Sequence, residues 1–219
     1  MDMADLKLVI FDCDGVLVDS EGIFNRVLVD DLETYGFTLG FDECATLFTG
    51  GTISSTKSVL EARGAILPDT WVEGFYSKVY AQLHKTVTAI PNIKQTLEHI
   101  KTAGISYCVA SNGQIEKMEI TLGRTGLLGY FKDVMFSGQT LSAPKPAPEL
   151  FLHAAATFGA SPADCVVIED SLNGVLAAKR AGMKCFAYTP HGGGENLLAE
   201  GAVLFEDMAE LPALLGLSP

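Results

Sequence analysis

The stretch Leu6-Lys7-Leu8-Val9-Ile10-Phe11-Asp12-Cys13-Asp14-Gly15-Val16-Leu17-Val18-Asp19-Ser20 opens on a short β-rich apolar run and halts at two carboxylates. Runs of this kind, with little polar alternation, suit strands buried on both faces, as in a parallel sheet. The pattern recurs at 105–110, 134–136, 165–168, 184–187 and 203–205. Helical periods lie between these runs. Ile93, Leu97 and Ile100 share one face, with Pro91 ahead of them and Gly104 behind. Ile115, Met118 and Leu122 repeat the period and stop at Gly126; 148–158 stops at Gly159 and 175–181 at Gly182. Alternating strands and helices with glycine at the helix ends predict an α/β fold, a Rossmann-like doubly wound parallel sheet.

The alternation is interrupted over 18–87. Phe24, Leu28, Leu32 and Tyr35 fall on one helical face, with Ile23 and Val27 alongside. Further helices are expected over 42–48, 55–63 and 69–83, and no strand pattern stands out there. The expected organisation is a core of 1–17 and 88–219, about 150 residues, with a small helical insert of about 70 residues at 18–87, after the first strand.

Composition narrows the function. The 219 residues include 48% hydrophobic and 19% charged side chains, which excludes a disordered or extended charged chain. Lys and Arg number 15 against 27 Asp and Glu, a net charge of −12. That balance opposes nucleic-acid binding, whose affinity rests on cationic neutralisation of phosphates. A small anionic ligand needs local positive charge, from a metal ion or a few placed lysines. The five cysteines, Cys13, Cys44, Cys108, Cys165 and Cys185, form no CxxC, and buried free thiols in a reducing compartment are expected. Asp2 and Asp5 stand where a secretory signal would carry basic residues. No apolar stretch approaches the ~18 residues of a membrane span. A soluble, cytoplasmic protein is expected, with no membrane partner. The four histidines show no zinc spacing, and His191-Gly192-Gly193-Gly194 lacks the lysine and hydroxyl of a phosphate-binding P-loop.

In open α/β sheets ligands bind beyond the carboxyl ends of the strands. Those ends carry Asp12 and Asp14, Ser111 and Asn112, Lys145 in the loop after 134–136, and Glu169 with Asp170. The set suits phosphoryl transfer. A carboxylate can attack phosphorus and divide one hard step into two. A second acid two residues on can protonate the leaving oxygen and then deprotonate water. Several carboxylates suit Mg²⁺, a hard ion that takes oxygen ligands and keeps waters. A serine hydroxyl, backbone N–H groups and a lysine can hold the remaining phosphoryl oxygens.

Asp12-Cys13-Asp14-Gly15-Val16-Leu17-Val18-Asp19-Ser20 resembles the DxDG(T/V)L(V/x)D(S/T) signature of the haloacid dehalogenase superfamily. Ser111-Asn112-Gly113 matches its second motif, Lys145-Pro146 its third, and Glu169-Asp170-Ser171 with Gly174 its fourth. All four stand in the right order between Leu6 and Gly182. The resemblance implies that Asp12 is the nucleophile and a Mg²⁺ ligand. Asp14 would be the general acid and base, and would ligate Mg²⁺ through its carbonyl. Ser111 and Lys145 would bind the phosphoryl group, and Asn112 would either join them or cap the turn. Asp170 would ligate Mg²⁺, and Glu169 would hold metal-bound water. The insert matches the family's helical cap, which closes over the strand ends and reads the rest of the substrate. Arg26 and Lys117 are candidate substrate contacts, and Gly50-Gly51, flanked by Thr49 and Thr52, reads as a cap turn.

Within the superfamily, Asp14 argues against dehalogenases, which generally lack the second aspartate. Phosphonatases use a cap lysine, for which Lys57 and Lys78 are candidates by residue type alone. Mutases of the β-phosphoglucomutase type carry a histidine and an arginine in the cap, where ungapped alignment here places Phe24 and Ile53. Lys117-Met118, Leu150-Phe151 and His153-Ala154-Ala155 add a likeness to sugar-phosphate and 6-phosphogluconate phosphatases of the cap-bearing subfamily. The expected function is a Mg²⁺-dependent phosphatase of a small phosphorylated metabolite, a sugar phosphate. A hexose-phosphate mutase is the alternative, and a catalytically silent binding protein the alternative of another class.

Overall fold

The computed structural model describes residues 6–48 and 53–217. Asp2, Asp5 and the expected turn at Thr49, Gly50, Gly51 and Thr52 lie outside the described residues. Among the described residues eight strands follow one another: β1 (Leu8–Phe11), β2 (Val18–Asp19), β3 (Thr88–Ala89), β4 (Ser106–Ser111), β5 (Met135–Ser137), β6 (Cys165–Glu169), β7 (Lys184–Tyr188) and β8 (Val203–Phe205). Six of them form one sheet in the order β5-β4-β1-β6-β7-β8, and each neighbouring pair is parallel. The chain therefore builds outward from β1 on one side and then returns to build on the other. The crevice at the carboxyl end of β1, where that reversal occurs, is where such sheets hold ligands.

The register explains which residues meet there. Leu8 pairs with both Ser106 and Cys165, and Phe11 with both Val109 and Ile168. Asp12 is thus the first residue past its strand, level with the last residue of β6 and one residue short of the end of β4. Alternation along β1 sends Leu8 and Ile10 into a core with Ala110, Phe151, Ala154 and Val167. Phe11 packs edge-on against Phe131, 6.2 Å between ring centres, and Phe131 meets Tyr107 at 5.6 Å. With both faces covered, the strand shows no polar alternation, which is why its sequence reads as a solid apolar run.

The helices of this part are α5 (Ile93–Thr102), α6 (Ile115–Thr125), α7 (Leu128–Phe131), α8 (Glu149–Thr157), α9 (Leu172–Ala181), α10 (Glu195–Ala199) and α11 (Leu211–Leu214). α6 and α9 end on Gly126 and Gly182, both left-handed with φ of 72° and 73°. The chain divides into two compact units, Met1–Val18 with Ala89–Pro219, and Asp19–Thr88. The second holds α1 (Glu21–Thr34), α2 (Phe41–Phe48), α3 (Ile53–Ala62) and α4 (Trp71–Thr86). β2 and β3 pair where the chain passes between the units.

Inside the helical unit, Leu28 and Leu32 of α1 are fully buried, as are Trp71, Phe75, Val79 and Leu83 along one face of α4. Trp71 stacks on Phe75 at 4.9 Å. Asp31 is buried; it accepts the Trp71 indole N–H at 2.7 Å and pairs with the Lys78 ammonium. Tyr35 departs from the expected apolar face: it follows the last turn of α1 and is exposed, because the helix ends before its side chain can turn inward. All five cysteines are buried free thiols. Among the described residues no helix is long and apolar enough to cross a membrane.

Candidate active site

β1 delivers Asp12, whose N–H donates to the Ile168 carbonyl at 2.9 Å. The chain then turns tightly. The Cys13 carbonyl accepts N–H groups from Leu17 (2.9 Å) and Val18 (3.1 Å), and Gly15 N–H donates to Val18. Gly15 has φ +74°, and a Cβ there would lie 1.9 Å from Asp170 Oδ2. Both the turn and the approach of Asp170 require glycine at this position. Cys13, between the two aspartates, points away and is buried near Thr121.

Glu169 is completely buried at the end of β6, in front of α9. Its Oε2 accepts the Asp170 and Ser171 N–H groups at 3.0 Å each and the Ser171 hydroxyl at 2.9 Å. Ser171 caps the helix by accepting the Gly174 N–H at 3.1 Å. The helix N-terminus and these donors make a buried carboxylate tolerable. Gly174 is what leaves room for it, since a Cβ would fall 1.8 Å from the Glu169 carboxyl carbon.

The Lys145 ammonium stands between acids, 2.5 Å from Asp12 Oδ1 and 2.6 Å from Glu169 Oε1. Burial pushes the Asp12 carboxyl up to about 7; Lys145 pulls the other way, while Glu169 and Asp14 add to the rise. For Lys145, burial works against the charge, but Asp12 and Glu169 outweigh it and hold the ammonium above the ordinary lysine range. Asp12, Glu169 and Asp170 each offer a carboxylate oxygen within 4.8 Å of the others. Three hard oxygen donors so close, with one buried lysine among them, fit a small divalent cation such as Mg²⁺.

Ser111 ends β4 and is buried; its hydroxyl oxygen accepts the Gly113 N–H at 3.0 Å, which leaves the hydroxyl proton to donate elsewhere. Lys117 on α6 pairs with Asp14, Nζ to Oδ1 2.8 Å. Burial opposes its charge too, yet Asp14 holds Lys117 above its usual range. Gly113 borders this group: a Cβ there would lie 3.3 Å from Ser111 Oγ and 3.8 Å from Asp14 Oδ2. The side chain of Asn112 is occupied by the Lys145 main chain. Arg26 lies in the helical unit with its guanidinium 4.8 Å over the Phe41 ring.

The structure thus brings together Asp12, Lys145, Glu169 and Asp170, with Ser111, Asp14 and Lys117 joined around Gly113. Ser137, Gly138 and Gln139, which brace the loops around Asn112, carry no motif in the sequence. Their one signal is a Ser-Gly pair directly after an apolar run.

Comparison with known proteins shows the family of the chain. The family model for haloacid dehalogenase-like hydrolase matches residues 6–182. A 6-phosphogluconate phosphatase of Escherichia coli (strain K12) is 32% identical over 214 residues, 97% of this chain and 96% of that one. A solved hydrolase of the same family from Deinococcus radiodurans, with bound phosphate and sodium, has a TM-score of 0.84 and 31% identity, covering 99% of each chain. A beta-phosphoglucomutase-like protein of Thermotoga maritima has a TM-score of 0.78 at 28% identity, covering 96% of this chain and 99% of its own. The chain belongs to the haloacid dehalogenase-like hydrolases, and is an enzyme of that family.

Proposed function

We propose that the chain is a Mg²⁺-dependent phosphatase that hydrolyses a small phosphomonoester, a sugar phosphate, through an aspartyl-phosphate on Asp12. The observation that carries this is the Asp12 carboxylate, paired with a buried ammonium at 2.5 Å and standing within 4.8 Å of two further carboxylates. Asp12 attacks phosphorus; as the new P–O bond forms, the bond to the leaving oxygen breaks and Asp14 gives that oxygen its proton. Asp14, now ionised, takes a proton from water, the water oxygen attacks phosphorus, and the P–O bond to Asp12 breaks to release phosphate. Lys145 offsets charge on Asp12 and, with the Ser111 hydroxyl and the backbone at Asn112, holds phosphoryl oxygens. Asp12, Asp170 and the Asp14 carbonyl would hold Mg²⁺, with Glu169 behind them. When bound, the ion supplies positive charge for the anionic substrate.

Hydrolysis is favoured over phosphate return to a sugar by two cap positions. Phe24 packs edge-on against Phe75 at 5.4 Å, and Ile53 is buried, so neither offers the polar chemistry of a mutase cap. Lys78 is paired with buried Asp31, and Lys57 lies 3.5 Å from Glu61, which disfavours an imine-forming lysine. The test is phosphate release over a panel of phosphorylated metabolites, with and without Mg²⁺, beside an assay converting β-glucose 1-phosphate to glucose 6-phosphate. Release that requires Mg²⁺ supports the reading. Isomerisation without net release overturns it in favour of the mutase, and no reaction in either assay favours a silent binding protein.

A further inference from the structure

We propose that Asn112 is the positioning residue of Lys145: its carboxamide grips both main-chain polar groups of that lysine and thereby sets where the ammonium stands. Asn112 Oδ1 accepts the Lys145 N–H at 2.8 Å, and Asn112 Nδ2 donates to the Lys145 carbonyl at 3.1 Å. The two bonds join residues 33 apart in sequence, on loops that follow different strands. An amide is the side chain that presents a donor and an acceptor side by side, and only one orientation of it satisfies both bonds.

Lys145 sits in a turn, outside any helix or strand, so no ladder fixes its backbone. Its buried main-chain groups need partners, and Asn112 supplies both. The need for a grip follows from the far end of the side chain. The ammonium is held at 2.5 and 2.6 Å by two carboxylates, Asp12 just past β1 and Glu169 at the end of β6. A lysine stem is flexible, and a drift of about 1 Å at its root would compromise both contacts. Clamping the N–H and C=O of the same residue fixes the position and direction of its Cα, from which the stem departs.

The surroundings support the grip. The Asn112 carbonyl accepts the Gln139 side-chain amide at 3.1 Å, Ser137 Oγ donates to the Gly113 carbonyl at 2.7 Å, and Gly138 N–H donates to the Ser111 carbonyl at 2.9 Å. Gly138 leaves the passage open, since a Cβ there would lie 2.8 Å from Asn112 Oδ1. A helix-capping role does not account for Asn112, because Gln114 occupies the N-cap of α6.

The effect on turnover rests on the phosphatase reading of Lys145; the grip itself does not. Two variants test it, Asn112→Ala and the near-isosteric Asn112→Asp, which keeps an acceptor for the Lys145 N–H but turns a carboxylate oxygen on the Lys145 carbonyl. Amide hydrogen exchange at Lys145 is expected to quicken at least tenfold in the alanine variant. With p-nitrophenyl phosphate as substrate, kcat/KM is expected to fall at least tenfold in both variants, and inhibition by inorganic phosphate to weaken with it. Aspartate caps a turn as well as asparagine does, so wild-type kcat/KM in Asn112→Asp overturns the proposal. Unchanged exchange at Lys145 in Asn112→Ala overturns it as well. If the wild-type enzyme releases no phosphate from any ester, the phosphatase reading fails, and the exchange measurement alone decides the grip.

Discussion

Replacing Gly174 with alanine sets two effects of known size against each other. Gly174 lies in the first turn of α9 with ordinary helical backbone, so helix propensity alone favours alanine by up to about 1 kcal/mol. The new methyl would sit 1.8 Å from both Cδ and Oε1 of Glu169 and 2.3 Å from Oε2. The carboxylate must leave, or the helix must shift by more than an ångström. If it leaves, Glu169 gives up Lys145 at 2.6 Å and the three donors at its other oxygen, two at 3.0 Å and one at 2.9 Å. Breaking a buried, hydrogen-bonded charge pair costs about 3–5 kcal/mol. Steric displacement therefore outweighs propensity, and a net loss of about 2–4 kcal/mol is expected. In urea, with a slope of about 2–3 kcal/mol per molar, the midpoint should fall by roughly 1 M. In a Glu169→Ala background the obstacle is gone, and Gly174→Ala should there be neutral or mildly stabilising. A midpoint that rises in the wild-type background, or falls equally in both, would refute the steric account of this glycine.

Gly15→Ala combines a left-handed backbone, costing about 1–2 kcal/mol, with a Cβ 1.9 Å from Asp170 Oδ2; Mg²⁺ affinity by calorimetry should drop at least tenfold. Asp12→Asn should abolish phosphate release while leaving the circular dichroism spectrum native, and wild-type turnover in that variant would remove Asp12 from the nucleophile's role. A proton on Asp12 must leave before the carboxylate can ligate, so apparent Mg²⁺ affinity should climb up to about pH 7 and level off above it; a flat profile from pH 5 to 9 contradicts the site. The metal-free fold gives the same group a second signature. A carboxyl raised from 3.8 to about 7 keeps its proton longer in the folded state, so stability should fall as pH rises through that window. Asp12→Asn should flatten that slope in urea melts taken across it.

The sheet was legible because β1, β4, β6 and β7 are covered on both faces and long enough to leave unbroken apolar runs. The short helices α7, α10 and α11, at 4, 5 and 4 residues, are too brief to show a period. The strand-end residues Asp12, Ser111, Lys145 and Glu169 were legible because parallel topology carries strand ends to one edge, whatever their distance in sequence. What the side chains do there was not. Lys117 reaches Asp14 across 103 residues, and Asn112 reaches the Lys145 backbone across 33, between loops without periodicity. Gly174 stood out only as part of a motif; its physical reason, the space taken by the Glu169 carboxylate, exists only in three dimensions.

An acidic chain that handles an anion must solve its electrostatics locally. With a net charge of −12, the protein repels polyanions at long range, but within a Debye length of about 8 Å at physiological salt the nearest charges dominate. There, Asp12, Glu169 and Asp170 crowd one lysine, and that lysine is already paired with two of them. Left to its own residues, this cluster opposes a phosphate as the whole surface does. On the proposed reading, binding of the cation reverses the local sign, so cation and phosphate must raise each other's affinity by the same factor. Inorganic phosphate should then bind weakly without Mg²⁺ and markedly tighter with it, and Mg²⁺ should tighten equally when phosphate is present. Calorimetric titrations in both orders measure the two factors. If phosphate binds equally well with and without Mg²⁺, the positive charge comes from the lysines Lys145 and Lys117 without an ion, and the carboxylate cluster has some purpose other than holding a cation for the substrate.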